Sequence, residues 1–327
     1  MNKYLSTSKF FKTKFLSLSP AVLAVFGIIA LVPIFSENLY IIELLTLSLV
    51  YCIFAISWDI LSGYTEQMNF GHAFFIGGAG YIAALLNLRL GVSPTLSIPI
   101  SGVMAGCAGL GIGYLTLRLK GPYFALATIV FSTVLYKLCF VAWRISGGEE
   151  GLSGVATLTK NVKGDFYISL SIVLVSFIIL SFFAHSKYGL LLKSTRFNED
   201  VAEASGINTA YYKIVAFALS GFFAGIGGAL YTHTHMQIGP SMLSGYLCVL
   251  IVLLAMVGGM GTLVGPFLGA FILSLFNEWL RIIEVYRIVV FTGVLILLIY
   301  LNPMGLANST IFKRYRILNR IFFGRDS

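Results

Sequence analysis

Residues Asp165 to Ala184 read DFYISLSIVLVSFIILSFFA. Past Asp165 the run carries no charge, and its 20 residues suffice to cross a hydrocarbon layer as a helix. A polar stretch, 185–211, follows, and then a second apolar run, 212–235. The same alternation of long apolar run and short polar break fills the chain. It predicts spans near 20–36, 39–61, 72–90, 94–118, 122–142, 165–184, 212–235, 243–260, 262–280 and 286–302. The runs are too long for barrel strands and show no period-two alternation, so they are helices. Only 11% of the residues are charged and 58% are apolar, with a mean hydropathy of +0.91. A soluble domain carries about twice that charged fraction. The fold class is therefore an all-α polytopic membrane protein with about ten transmembrane helices, eight at the least, and no room for a sizeable soluble domain.

The net charge of +9 could point to nucleic acid, but the basic residues are spread over short loops and both termini, which suits membrane orientation better. No nucleic acid partner is expected. With the N-terminus in the cytoplasm, fifteen Lys and Arg fall on the inner side, among them Lys3, Lys9, Arg118, Lys187, Lys193, Arg196, Lys213 and Arg314. Six fall outside: Arg89, Arg144, Lys160, Lys163, Arg281 and Arg287. The asymmetry places both termini in the cytoplasm. Lys3 to Lys14 precede an apolar run as in a signal peptide, yet Ser36-Glu37-Asn38 lacks a small-residue cleavage pattern, so a retained first span is expected. The domain reading is a cytoplasmic tail at 1–19, a permease domain at 20–305 and a basic cytoplasmic tail at 306–327. Cys52, Cys107, Cys139 and Cys248 all sit in apolar runs without a Cys-x-x-Cys pair and read as small buried hydrophobes.

Chemistry-bearing motifs are sparse. No Gly-Lys dipeptide occurs, which removes the phosphate-cradling Gly-x-x-x-x-Gly-Lys loop and with it an ATP site of that kind. There is no His-Glu-x-x-His and no Gly-x-Ser-x-Gly, and His233 and His235 lie on different faces of a helix. No enzyme activity, metal or cofactor is expected. Ionisable residues in the spans (Glu43, Asp59, Lys137, Glu278) lie near span ends and read as groups reaching the interface, which argues against a proton- or sodium-coupled carrier. Gly102-x-x-x-Gly106, Gly109-x-x-x-Gly113, Gly221-x-x-x-Gly225 and Gly261-x-x-x-Gly265-x-x-x-Gly269 put small residues on one helix face, a spacing for close helix approach.

Three polar segments stand out. In 185–211, Asn198 reads as an N-cap, Glu199 and Asp200 fill a first turn where the helix dipole favours acids, and Gly206 suits a left-handed C-terminal stop. A short helix near 199–205 on the inner surface follows. The segments 63–72 and 258–261 interrupt apolar runs with glycine and polar residues. Each is either an ordinary inner turn or the broken middle of a discontinuous helix, with re-entrant half-helices near 63–72 and 258–265. Such backbone offers polar groups to a dehydrated solute without a trapping charge, so Gly63, Tyr64, Thr65, Gln67, Asn69, His72, Gly258 and Gly259 are the candidate translocation residues. The outer loop 143–164 carries Glu149 and Glu150, candidates for contact with an external protein.

Arg196-x-x-Glu199-x-x-Ala202-x-x-x-Gly206-Ile207-Asn208, then Phe217-x-x-Ser220-x-x-x-Ala224-Gly225-x-x-Gly228, resembles the inner-membrane permeases of branched-chain amino-acid ABC importers, and within them the M-type subunit. Trp58-Asp59-Ile60-Leu61-Ser62-Gly63-Tyr64, Gly121-Pro122-Tyr123-Phe124 and Val257-Gly258-Gly259-Met260-Gly261 are similar to the same family, in the same order, over about 40–305. Glu66 stands where the pattern has glycine, and Ser146-Gly-Gly-Glu149-Glu150-Gly151-Leu152 has a serine for threonine and two acids inside. The resemblance implies a bacterial inner-membrane subunit paired with a second permease, two cytoplasmic ABC ATPases and a periplasmic substrate-binding protein. It also implies that 196–208 is the helix seated on the ATPase, making Arg196, Glu199, Asp200, Ala202, Glu203 and Gly206 the candidate coupling residues. Urea and short-chain amide permeases share the architecture and are the rival cargo reading.

Overall fold

The computed structural model describes residues 20–116, 119, 121–197, 199–301 and 305. Among them are thirteen α-helices: α1 Pro20–Phe35, α2 Leu39–Trp58, α3 His72–Leu90, α4 Pro94–Thr116, α5 Pro122–Val141, α6 Trp143–Ser146, α7 Val162–His185, α8 Lys187–Phe197, α9 Glu199–Ala204, α10 Thr209–His235, α11 Gly245–Gly258, α12 Val264–Trp279 and α13 Arg287–Leu301. Local chemistry sets many of the ends. Asn38, Asn208 and Ser244 cap α2, α10 and α11 by accepting from the Tyr40, Tyr211 and Leu247 N–H groups. Pro122 opens α5 where a missing N–H does no harm, and Gly91, at φ +65°, closes α3.

Among the described residues, seven helical segments are long and apolar enough to cross a membrane: Leu39–Gly63, His72–Leu90, Pro94–Thr116, Pro122–Val141, Val162–His185, Thr209–His235 and Val264–Ile283. The sequence predicts about ten. The difference lies in α1, α11 and α13, apolar helices of 16, 14 and 15 residues. At 1.5 Å per residue the 14 residues of α11 reach only about 21 Å of a core about 30 Å thick. The glycines after Met256 cut it short.

α10 is the central element, packed on α4, α3 and α2, while α2 also meets α12 and α7. Glycine decides how close these helices come. A Cβ at Gly109 would sit 2.6 Å from the Phe217 carbonyl oxygen, one at Gly221 2.7 Å from that of Ala105, and one at Gly228 2.0 Å from that of Ile76. The outward faces of α4 and α5 show Leu110, Tyr114, Leu115, Leu126 and Val130, apolar surface suited to lipid or to another membrane subunit. Cys52, Cys139 and Cys248 are buried, but Cys107 is exposed on α4, against the expectation for all four. In a membrane helix the outward face is apolar too, so hydropathy alone does not report burial.

At one end of the bundle lie the α2–α3 and α11–α12 connections and the α8–α9 pair. At the other, β1 (Leu152–Ser153) pairs antiparallel with β2 (Gln237–Ile238), joining the 147–154 loop to the end of α10.

Candidate functional site

The 185–211 segment is more ordered than its sequence suggests. The 11-residue α8 precedes the expected short helix, seated by buried Leu192 and Thr195 and by Tyr188 between Phe183 and Tyr212, at 6.1 and 5.7 Å between ring centres. α9 then spans Glu199–Ala204, and its stop is explicit. Gly206 takes φ +83°, its N–H donates to the Glu203 carbonyl, and the Ile207 N–H reaches back to the Ala202 carbonyl. The N-cap expected at Asn198 lies outside the described residues.

Several candidate coupling residues turn inward. Glu199 forms an ion pair with buried Lys213 at the start of α10. The Thr209 hydroxyl lies 2.5 Å from Glu203 Oε1 and 3.4 Å from Glu199 Oε1. Ala202 is buried and Arg196 points into the bundle, while Asp200, Val201, Glu203 and Gly206 are exposed.

Arg196 leads to a tightly made polar contact inside the bundle. Its Nη1 donates to the Gly63 carbonyl at 2.8 Å. Gly63 ends a π-helical turn, Asp59–Gly63, that extends α2 and carries a buried carboxylate on Asp59. Asp59 Oδ1 accepts from the Gly261 N–H at 2.6 Å, and Oδ2 from the Leu263 N–H at 3.0 Å. The two glycine-bearing segments, 202 positions apart, thus meet directly. They leave no space: a Cβ at Gly63 would lie 1.9 Å from Asp59 Oδ1, and one at Gly261 would lie 2.5 Å from Arg196 Nη1. Lys193, one turn before Arg196 on α8, places its Nζ 4.6 Å from the centre of the Tyr64 ring.

The other candidate pathway residues pack into this interior. Tyr64, Thr65, Asn69 and His72 are buried, as are Gly63, Gly258 and Gly259, and Gln67 is half-buried. The Trp58 indole N–H donates to the Asn69 carbonyl at 2.7 Å, the Asn69 N–H donates to Ser62 Oγ, and His72 Nε2 lies 2.9 Å from Ser57 Oγ. Thr128 and Ser132 of α5 accept from the Phe70 and Phe74 N–H groups. The 66–71 stretch is irregular backbone, with Asn69 and Gly71 buried, Gln67, Met68 and Phe70 half-buried and Glu66 exposed. Glu66 takes φ +62°, a left-handed conformation that suits the glycine of the family pattern.

Asp59 is where reading from sequence missed most. It was expected to reach the interface and is instead fully buried, with both oxygens committed. The available signal was a second carboxylate, besides Glu43, within a 25-residue apolar segment. Its partners are backbone N–H groups, which carry no residue-type signature.

At the opposite end, Glu149 and Glu150 are exposed and border a cavity of about 410 Å³ shared with Tyr136, Tyr231, Gln237 and Ser241. No candidate pathway residue lines it.

Residues 40–300 match the family described as branched-chain amino acid transport system / permease component. The chain belongs to that family. Among relatives, the high-affinity branched-chain amino acid transport system permease protein LivM of Escherichia coli is 25% identical over 298 residues, 82% of this chain and 70% of its own length. The autoinducer 2 import system permease protein LsrC of Photorhabdus laumondii is 28% identical over 63% of this chain and 64% of its own. The ribose import permease protein RbsC of Escherichia coli is 23% identical over 91% and 97%. No solved structure matches the chain. This permease is thus a multi-pass membrane protein of the ABC importer type, and its family members are transport subunits rather than enzymes.

Proposed function

We propose that the chain is the M-type permease subunit of an importer for branched-chain or related neutral amino acids, driven by partner ATPases. It lies in the bacterial inner (plasma) membrane with about ten spans, eight at the least, and both termini in the cytoplasm. The bounds are 1–19 for the N-terminal tail, 20–305 for the permease domain and 306–327 for the basic C-terminal tail. A second permease completes the pathway, two ABC ATPases bind on the cytoplasmic side, and a periplasmic binding protein delivers cargo beside Glu149 and Glu150. The 63–72 and 258–261 segments border the pathway, which opens only when they move.

The observation that carries this reading is the α8–α9 unit. It is a stopped, internally braced pair of helices on the end rich in Lys and Arg, projecting Asp200, Val201 and Gly206 while Lys213 and Gly63 hold it to the core. A rigid protrusion braced to the interior suits transmission of force from a docked ATPase. The ribose import relative makes ribose the second cargo reading.

The test is reconstitution of the chain with its second permease, ATPases and binding protein in liposomes. Uptake of labelled leucine, isoleucine, valine, urea and ribose is then followed with and without ATP. ATP-dependent uptake of the three amino acids, requiring every component, is expected. Uptake of ribose or urea alone would reassign the cargo, and uptake by the chain alone along a proton gradient would overturn the dependence on ATPases.

A further inference from the structure

We infer that Asp59 is a positioning residue of transport, forming with Arg196 a polar joint through which displacement of α8–α9 reaches both glycine-bearing breaks at once. The inference rests on the reading of α8–α9 as the ATPase-docking unit. The joint has four members in series. Arg196, on α8, holds the Gly63 carbonyl; Gly63 closes the π-helical turn that begins with Asp59; and Asp59 holds the N–H groups of Gly261 and Leu263 between α11 and α12. Lys193 on the same face of α8 lies over Tyr64, the next residue along. α8 therefore grips the α2–α3 connection at two places. That connection in turn grips the α11–α12 connection through one carboxylate.

Three features mark this as more than a helix cap. The geometry tolerates no methyl group at Gly63 or Gly261, so the segments cannot slide past each other without breaking the bonds to Asp59 and Arg196. Leu263 is held at φ +59°, ψ −45°, a conformation an L-residue rarely adopts, while its side chain is buried and its N–H is fixed by Asp59. Strain of this kind persists where surrounding contacts over-determine it, and it clusters in segments that switch. Finally, the helices meeting here are interrupted ones: α2 ends in a π turn, a feature frequent at functional sites, and α11 stops short of a full span. A carboxylate suits the place because each of its two oxygens accepts one backbone N–H, whereas a carboxamide has one acceptor oxygen and would turn a donor toward the other N–H.

The experiment uses the reconstituted complex, comparing the native chain with Asp59→Asn and Arg196→Gln. The asparagine keeps the shape but turns an NH2 group toward one of the two N–H donors. Two readouts are taken: labelled leucine imported per ATP hydrolysed, and the thiol reactivity of Met260→Cys, with Cys107→Ser as background, in ATP-bound and nucleotide-free states. The native joint should change Met260→Cys reactivity at least threefold between the two states. Both variants should abolish that difference and lower import per ATP at least tenfold. Retention of both readouts in Asp59→Asn and Arg196→Gln would overturn the joint, as would the lack of any nucleotide effect in the native chain. If Asp59→Asn fails to accumulate in membranes, Arg196→Gln, at the half-buried rim, decides in the same way. A native complex that hydrolyses ATP without importing leucine would remove the cargo reading, and Met260→Cys reactivity would still judge the joint.

Discussion

The α4–α10 interface and the 258–263 break are both rich in glycine, and they use it in opposite ways. Where α10 meets α4, and at Gly228 also α3, the glycines at 102, 106, 109, 221, 225 and 228 keep helical backbone and give up their side chains so that carbonyls and Cα atoms of one helix rest against the other. No helical hydrogen bond is surrendered. At 258–263, Gly259 and Gly261 stand at φ +111° and +77°, the helix ends, and backbone N–H groups are released into the protein interior. Unpaired donors are expensive there. Asp59 takes two of them, at Gly261 and Leu263, which converts a break into a joint. Spacing alone does not separate the two uses; the fate of the backbone donors does.

The largest effect expected from this contrast is at Gly228. Its Cβ would meet the Ile76 carbonyl, backbone that cannot swing away, so Gly228→Ala should destabilise the protein by about 3 kcal/mol. Thermal unfolding of the purified chain in detergent would register this, and an unchanged midpoint would show that α10 and α3 are not in such close contact. Gly261→Ala comes next. Its methyl group would meet Arg196 Nη1 at 2.5 Å and the Gly63 carbonyl oxygen at 2.9 Å, a closer fit than a side chain takes without a shift but looser than at Gly228, and the left-handed backbone adds about 1–2 kcal/mol. Stability should fall less than for Gly228→Ala while uptake by the reconstituted complex is lost; the reverse ranking would erase the distinction between packing glycine and joint glycine.

Gly206→Ala isolates the backbone contribution, since the space around it is open and only φ +83° opposes a side chain. A loss of about 1 kcal/mol confined to the end of α9 should reduce co-purification of the ATPases about fivefold with the melting midpoint of the bundle unchanged. The smallest effect runs the other way. Glu66→Gly removes an L-residue from φ +62° on an exposed site and should raise the midpoint by no more than about 2 °C, because glycine also gains freedom in the unfolded chain.

Much of this was legible beforehand. Asp165 to Ala184 announced a membrane helix, and α7 follows at Val162–His185. The glycine spacing on α4 and α10 pointed to close approach, and Glu199-Asp200 with Gly206 marked a short helix that the structure places at Glu199–Ala204. α8 escaped because Lys187 to Phe197 is polar enough to read as loop; aromatic packing of Tyr188 against Phe183 and Tyr212 makes it a helix. Arg196 and Glu199 looked like outward docking groups because charge on a polar loop is ordinarily solvated, and only the nearness of Gly63 and Lys213 turns them in.

Hydropathy and spacing by themselves determined the helical class, the approximate borders of most spans and the faces along which glycine brings helices together. These depend on residues within one or two turns of each other, where the chain's own periodicity acts. Which apolar helices are cut short, and where the carboxylate of Asp59 goes, were decided only by tertiary structure. The donors at Gly261 and Leu263 become unpaired only once α11 ends, and they reach Asp59 only because α2 and α12 pack side by side. Backbone groups brought together across 202 positions leave no pattern in the order of side chains.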